Sequence, residues 1–141
     1  MIRPYVSEDT DAILHIWRIA SEFAHPFLDD DFHDMAANAI RDVYLPKADT
    51  FVVVIDDVPV GFIALLENQI GGLFLDPAFH GQGLGRSLVD HAVKLKGPLT
   101  VEVFKNNKVG RRFYAAYGFH QTGECLHDMT EQLTLKLAMV R

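Results

Sequence analysis

Leu73-Phe74-Leu75-Asp76-Pro77-Ala78-Phe79-His80-Gly81-Gln82-Gly83-Leu84-Gly85-Arg86-Ser87-Leu88 is the stretch on which the reading of this chain turns. An apolar run ends at Asp76-Pro77, glycines recur at alternate positions, and an amphipathic pattern begins. A strand that turns into a helix in this way presents unblocked backbone N–H groups beside the positive end of the helix dipole, and phosphate is the natural ligand of such a corner. Glycine lets the backbone approach phosphate oxygens with no Cβ in the way. Two familiar phosphate motifs do not fit. A P-loop needs a glycine at position 80 and a lysine at 86, where this chain has His80 and Arg86. The dinucleotide fingerprint needs one more residue between Gly83 and Gly85, and it belongs to the start of a parallel sheet.

Working outward, Leu88, Val89, Ala92, Val93 and Leu95 repeat at helical spacing until Gly97-Pro98 stops the helix. Residues 99–104 read as a strand, so the strand–helix–strand unit implies a parallel, right-handed crossover. Residues 106–117 predict a second helix closed by Gly118, and residues 119–126 with 132–140 predict a closing hairpin. Upstream, residues 50–55, 60–66 and 70–75 form an antiparallel meander, with Asp56-Asp57-Val58-Pro59 and Asn68-Gln69 as turns. Residues 2–6 are extended, and Ser7 is placed to cap a helix bearing Ile13, Ile16, Trp17 and Ala20 on one face. Pro26 interrupts that helix. Another runs from Asp30 or Asp31 toward Tyr44 and is expected to stop before Pro46. The pattern is an α/β (α+β) fold with a mixed sheet, one domain over residues 1–141.

The 141 residues are 49% hydrophobic and 23% charged, which suits a folded globule. The one cysteine, Cys125, cannot make an intramolecular disulfide, and without a second cysteine His120, Cys125 and His127 make no metal site. No apolar run reaches the roughly 18 residues of a membrane span, and no signal-peptide core follows Met1. The expectation is a cytoplasmic protein. A net charge of −6 argues against nucleic acid or an anionic membrane as partner. The charge is unevenly spread: 12 acidic against 4 basic residues up to Asp57, but 7 basic against 2 acidic between His80 and Arg112. Two solvated faces of opposite sign would explain this. So would an anionic ligand on the basic stretch and a cationic one on the acidic half.

A third phosphate pattern does fit. His80-Gly81-Gln82-Gly83-Leu84-Gly85 is similar to the [QR]-x-x-G-x-[GA] signature of the GNAT superfamily of N-acetyltransferases, with His80 in place of Gln or Arg. Asn107-Lys108-Val109-Gly110-Arg111-Arg112-Phe113-Tyr114-Ala115-Ala116-Tyr117-Gly118-Phe119 resembles the family's N-x-x-A-x-x-F-Y-x-x-x-G-F, with Gly110 for Ala. The order of elements agrees along nearly the whole chain. The resemblance implies a mostly antiparallel sheet of six to seven strands with about four helices and a splayed parallel strand pair at the cofactor site. It implies acetyl-CoA as co-substrate, no metal, a monomer or homodimer, and transfer of acetyl to a primary amine of a small molecule, amino acid, peptide or protein. The mechanism it implies is direct attack in a ternary complex.

Site residues follow from the same resemblance. Backbone amides of residues 80–85 would hold the pyrophosphate, with Arg86 beside them and Lys108, Arg111 or Arg112 near the 3′-phosphate. The pantetheine arm would pair with Leu73, Phe74 and Leu75, where Gly71-Gly72 marks a bulge, and a free N–H such as that of Leu75 would polarise the thioester carbonyl. Asn107 matches a cofactor contact and also suits a helix cap. Tyr114 matches the family's proton donor to the departing thiolate, a role open to a phenol of pKa about 10; a packed aromatic is the other reading. Glu67, Glu102 or His25 could accept the amine proton, although a lone glutamate in an apolar strand also reads as a solvated side chain. His25, Phe27 and Leu28, followed by three aspartates, would line the acceptor pocket; a helix cap with a hydrophobic staple explains them too. A non-catalytic acyl-CoA-binding module and a nucleotide switch remain as alternatives.

Overall fold

In the computed structural model, which describes residues 1–127, 130 and 132–139, seven strands make one sheet. They are β1 (Ile2–Pro4), β2 (Asp49–Ile55), β3 (Val58–Leu66), β4 (Gln69–Leu75), β5 (Thr100–Phe104), β6 (Phe119–Leu126) and β7 (Leu133–Met139), in the order β1-β2-β3-β4-β5-β7-β6. Every neighbouring pair is antiparallel except β4 and β5. The meander turns at Asp56-Asp57, where both residues take the left-handed conformation that short acidic side chains tolerate. The expected end of the last strand, Val140, lies outside the described residues.

Alternation along the strands divides the core into two layers. Val53, Ile63, Val101 and Val103 point to one face beneath α4 (Leu84–Lys96) and α5 (Lys108–Tyr117), where Leu88, Val89 and Ala92 are fully buried. Val52 and Phe62 point to the other face and meet Ile13, Ile16 and Trp17 of α1 (Thr10–Ala24). Burying a side chain of this size stabilises by about 1.5–3 kcal/mol, so the two layers clamp the sheet from both sides. No helix of the described residues is long and apolar enough to cross a membrane.

Two helix boundaries depart from the sequence reading. Ser7 is not a cap: the chain enters α1 through a 3₁₀ turn (Ser7–Asp9), and Asp9 receives the Val6 N–H at 3.0 Å and pairs with both guanidinium nitrogens of Arg3. The Arg3 hydrogen bond holds the Asp9 carboxyl below the usual carboxylate range. Nor does Pro46 end the second helix. α2 (Asp30–Ala39), capped by Asp29 through the Phe32 N–H, widens into a π-turn over Ile40–Tyr44 and tightens again into α3 (Leu45–Lys47), which contains Pro46. The wider turn sets back the carbonyls that a proline ring would otherwise strike.

Candidate active site

The sheet opens between β4 and β5. Their parallel pairing covers only Gln69–Thr100 and Ile70–Val101, after which the strands part. On its other edge β4 stays with β3 as far as Leu75, and the register slips past Gly71, the bulge foreseen at Gly71-Gly72. The Asp76 N–H donates to the Val60 carbonyl at 2.9 Å. Because backbone groups alternate along an antiparallel strand, Leu75 and Leu73 turn their N–H and C=O away from β3, into the opening. A cavity of about 580 Å³ follows the gap, with Leu73, Phe74, Leu75, Val101, Val103 and Phe104 in its walls.

At the end of β4 the cavity reaches the glycine turn. Gly81 and Gly83 have φ of 82° and 78°, where an L side chain is strained, and space is open on the side where a Cβ would stand. Gly83 begins α4 with no side-chain cap, and the first intrahelical bond is Ser87 N–H to Gly83 carbonyl at 3.0 Å. The N–H groups of Leu84, Gly85 and Arg86 therefore precede the helical ladder. Gly85 has a second duty: a Cβ there would lie 3.2 Å from the Phe113 ring, so its absence lets α4 and α5 meet. The corner can hold an anion with backbone donors, and the residues present fit a diphosphate.

α5 begins differently. Asn107 Oδ1 accepts the Gly110 N–H at 2.9 Å, and Asn107 Nδ2 reaches His25 Nε2 at 3.0 Å. Both Asn107 and His25 are buried and line the cavity. Burial, with a smaller push from His33, lowers the His25 pKa to about 4, so its ring is neutral in ordinary buffers. Tyr114, two turns further along α5, has 6% of its surface exposed and lines the cavity. Burial raises its pKa, so the phenol keeps its proton. Glu102 lines the cavity from β5, where alternation with the buried Val101 and Val103 turns it to the opposite face; Gln69 Nε2 donates to it at 3.3 Å.

The fold thus gathers around one cavity Leu73, Phe74, Leu75, His80, Gly81, Gly83, Leu84, Gly85, Arg86, Glu102, Asn107, Tyr114 and His25. Gln82 is in the turn but not in the wall. Glu67 stands in the β3–β4 turn at φ 56°, two residues before the paired end of β4 and outside the wall, on the opposite side from the splay. Phe27 is set back, its ring edge-on to His25 and Phe104 at 5.7 Å from each, and Leu28 is likewise outside the lining. Lys108, Arg111 and Arg112 line a separate groove with Leu135 and Leu137, whereas Val109, Gly110 and Phe113 of α5 face the cavity. Of the basic stretch, Arg86 remains at the site, stacked 4.8 Å over Tyr117. Phe23, which belongs to the same 22–28 segment expected to line the acceptor pocket, is in the wall, its ring edge-on to His80 at 5.4 Å; Phe104, read from sequence only as the end of a strand, is there too.

Among the described residues no group of three His, Cys, Asp or Glu could hold a metal ion. Residues 46–121 match the family model described as an acetyltransferase (GNAT) domain. The chain is 37% identical to the peptidyl-lysine N-acetyltransferase YjaB of Salmonella typhimurium over 86% of its own length and 84% of the relative's. The solution structure of apo YjaB from Escherichia coli superposes with a TM-score of 0.89 at 33% identity, covering 99% of this chain and 97% of that one. The fold is also that of the PaiA N-acetyltransferase of Thermoplasma acidophilum, solved with coenzyme A, at a TM-score of 0.82, 17% identity and 100% and 98% coverage.

Proposed function

Because this chain belongs to the GNAT acetyltransferase family and is an acetyl-CoA-dependent N-acetyltransferase, we propose that its acceptor is a lysine side chain of a peptide or protein. The observation that carries the reading is the continuity of a bare helix N-terminus with a split in the sheet, in one cavity that also holds Tyr114 and Glu102. The name borne by YjaB, peptidyl-lysine N-acetyltransferase, supports the acceptor class.

Each residue then has a task. The N–H groups at the start of α4, with Gly81 and Gly83 leaving room, bind the pyrophosphate, and Arg86 adds a positive charge. Leu73 and Leu75 bind the pantetheine arm as a neighbouring strand would, and the N–H of Leu75 polarises the thioester carbonyl. Asn107 donates to the same arm. Glu102 takes the proton that the lysine ammonium must lose before attack, directly or through one water. Nitrogen then bonds to the acetyl carbon as the carbon–sulfur bond breaks, and Tyr114 donates to the departing sulfur. Burial makes that phenol a weaker acid, so it meets the departing thiolate as a hydrogen-bond donor, and any proton it yields is resupplied by solvent. His25 has both ring nitrogens engaged, which leaves Glu102 as the base. Phe104 and His25, with Phe27 packed behind them, give the lysine's methylene chain an apolar wall, and the acidic segment Asp29-Asp30-Asp31 nearby favours a cationic substrate by its net charge.

Coenzyme release measured with acetyl-CoA against lysine-containing peptides, N-terminal amines and free small amines tests the reading. Peptide lysine is expected to give the highest kcat/KM. A small amine that outcompetes every peptide would overturn the acceptor assignment while leaving the acetyl transfer intact.

A further inference from the structure

Asn107 is the first of four buried polar side chains linked in series. Its Nδ2 lies 3.0 Å from His25 Nε2; His25 Nδ1 lies 3.1 Å from Ser21 Oγ; Ser21 Oγ lies 3.1 Å from His33 Nε2. All four residues are at most 8% exposed. The direction of the chain follows from its first member. Gly110 N–H can only donate, so the facing Asn107 atom is Oδ1 and the amide nitrogen is turned to His25. His25 Nε2 must then accept, so its proton is on Nδ1 and goes to Ser21. The serine hydroxyl donates in turn to His33 Nε2. His33 is left with its proton on Nδ1, an atom that has no hydrogen-bond partner among the described residues.

We propose that His25 is a positioning residue for acetyl transfer: by accepting one Asn107 N–H, it holds the amide so that the second N–H is presented to the pantetheine arm in the cavity. The inference rests on the assignment of Asn107 to the coenzyme made above. Three features carry it. Asn107 has both ends of its amide fixed, Oδ1 by the Gly110 N–H and Nδ2 by His25, while its residue lines the cavity. Gly110 makes room for that geometry, since a Cβ there would stand 2.6 Å from Asn107 Nδ2. The series also ends in an unpaired buried donor, an arrangement that costs stability and is expected where function rather than packing retains it. The low pKa of His25 agrees, because only a neutral ring can accept.

A double-mutant cycle on the dissociation constant of coenzyme A, read by calorimetry, tests this. Asn107→Ala is expected to weaken binding about ten-fold, the loss of one buried hydrogen bond. His25→Leu should weaken it by a similar factor in the native background and by less than about two-fold in the Asn107→Ala background. His25→Gln, which keeps an acceptor near Nε2, should restore most of the affinity. Gly110→Ala, which displaces the amide without removing it, should reproduce the Asn107→Ala loss and serves if His25→Leu does not fold. Equal losses from His25→Leu in both backgrounds, or none in the native one, would show that His25 does not act through Asn107. Unchanged binding by Asn107→Ala would instead remove Asn107 from the coenzyme site, and this proposal with it.

Discussion

α4 starts on Gly83 at φ 78° with no side-chain cap, whereas α5 starts on Asn107, whose side chain closes the Gly110 N–H at 2.9 Å. Both starts line the same cavity. A helix end without a cap leaves donors that an anion can satisfy, while a capped end is already satisfied and rigid. The open end therefore suits binding. The closed end suits holding side chains still, and Tyr114 lies two turns along it. The difference lies in one residue at each start, glycine against asparagine.

The division of labour can be broken from either side. Tyr114→Phe, on the capped helix, is expected to lower kcat by about ten-fold or more with little change in the affinity for acetyl-CoA; steady-state kinetics with varied coenzyme separates the two. Unchanged turnover would remove Tyr114 from the chemistry. Gly83→Asp puts a carboxylate at the phosphate corner, where it would repel the coenzyme and raise the dissociation constant of coenzyme A about ten-fold; at φ 78° the new side chain is strained, so about 1 kcal/mol of stability is lost as well, as calorimetry and thermal melts would report.

Acid tests the closed end. His25 is held neutral, with a folded-state pKa of about 4 against an ordinary value of 6.5. Between those values the unfolded chain takes up a proton that the folded one refuses. Stability therefore falls as pH drops through that window, by up to about 1.4 kcal/mol per pH unit. Denaturant titrations at stepped pH should show this slope, and it should vanish in His25→Gln. The smallest effect is expected at a third start. Asp29→Ala removes the cap of α2 and should cost about 1 kcal/mol of stability while leaving coenzyme binding unchanged.

What could be read in advance follows from how local each feature is. The meander, the crossover helix and the bulge at Gly71 are written in periodicity and in glycine or proline punctuation over a few residues, and the described strand ends fall within two residues of expectation. Ser7 and Pro46 misled because the outcome depended on partners elsewhere: Asp9, paired with Arg3, takes the Val6 N–H across a 3₁₀ turn, and a π-turn accommodates the proline. At the site, contiguous motifs led to the wall residues. Charge alone did not tell which face of α5 carries Lys108, Arg111 and Arg112. The Asn107–His25 bond joins residues 82 positions apart, and no local pattern records it.

The two-residue pairing of β4 with β5 has one more consequence. A coenzyme lying along Leu73 and Leu75 would supply hydrogen bonds that the polypeptide withholds from its own sheet, so occupancy and cohesion become linked by mass action. Amide exchange at those two residues should slow when the acyl donor is abundant, and the working lifetime of the chain would then follow the supply of what it consumes.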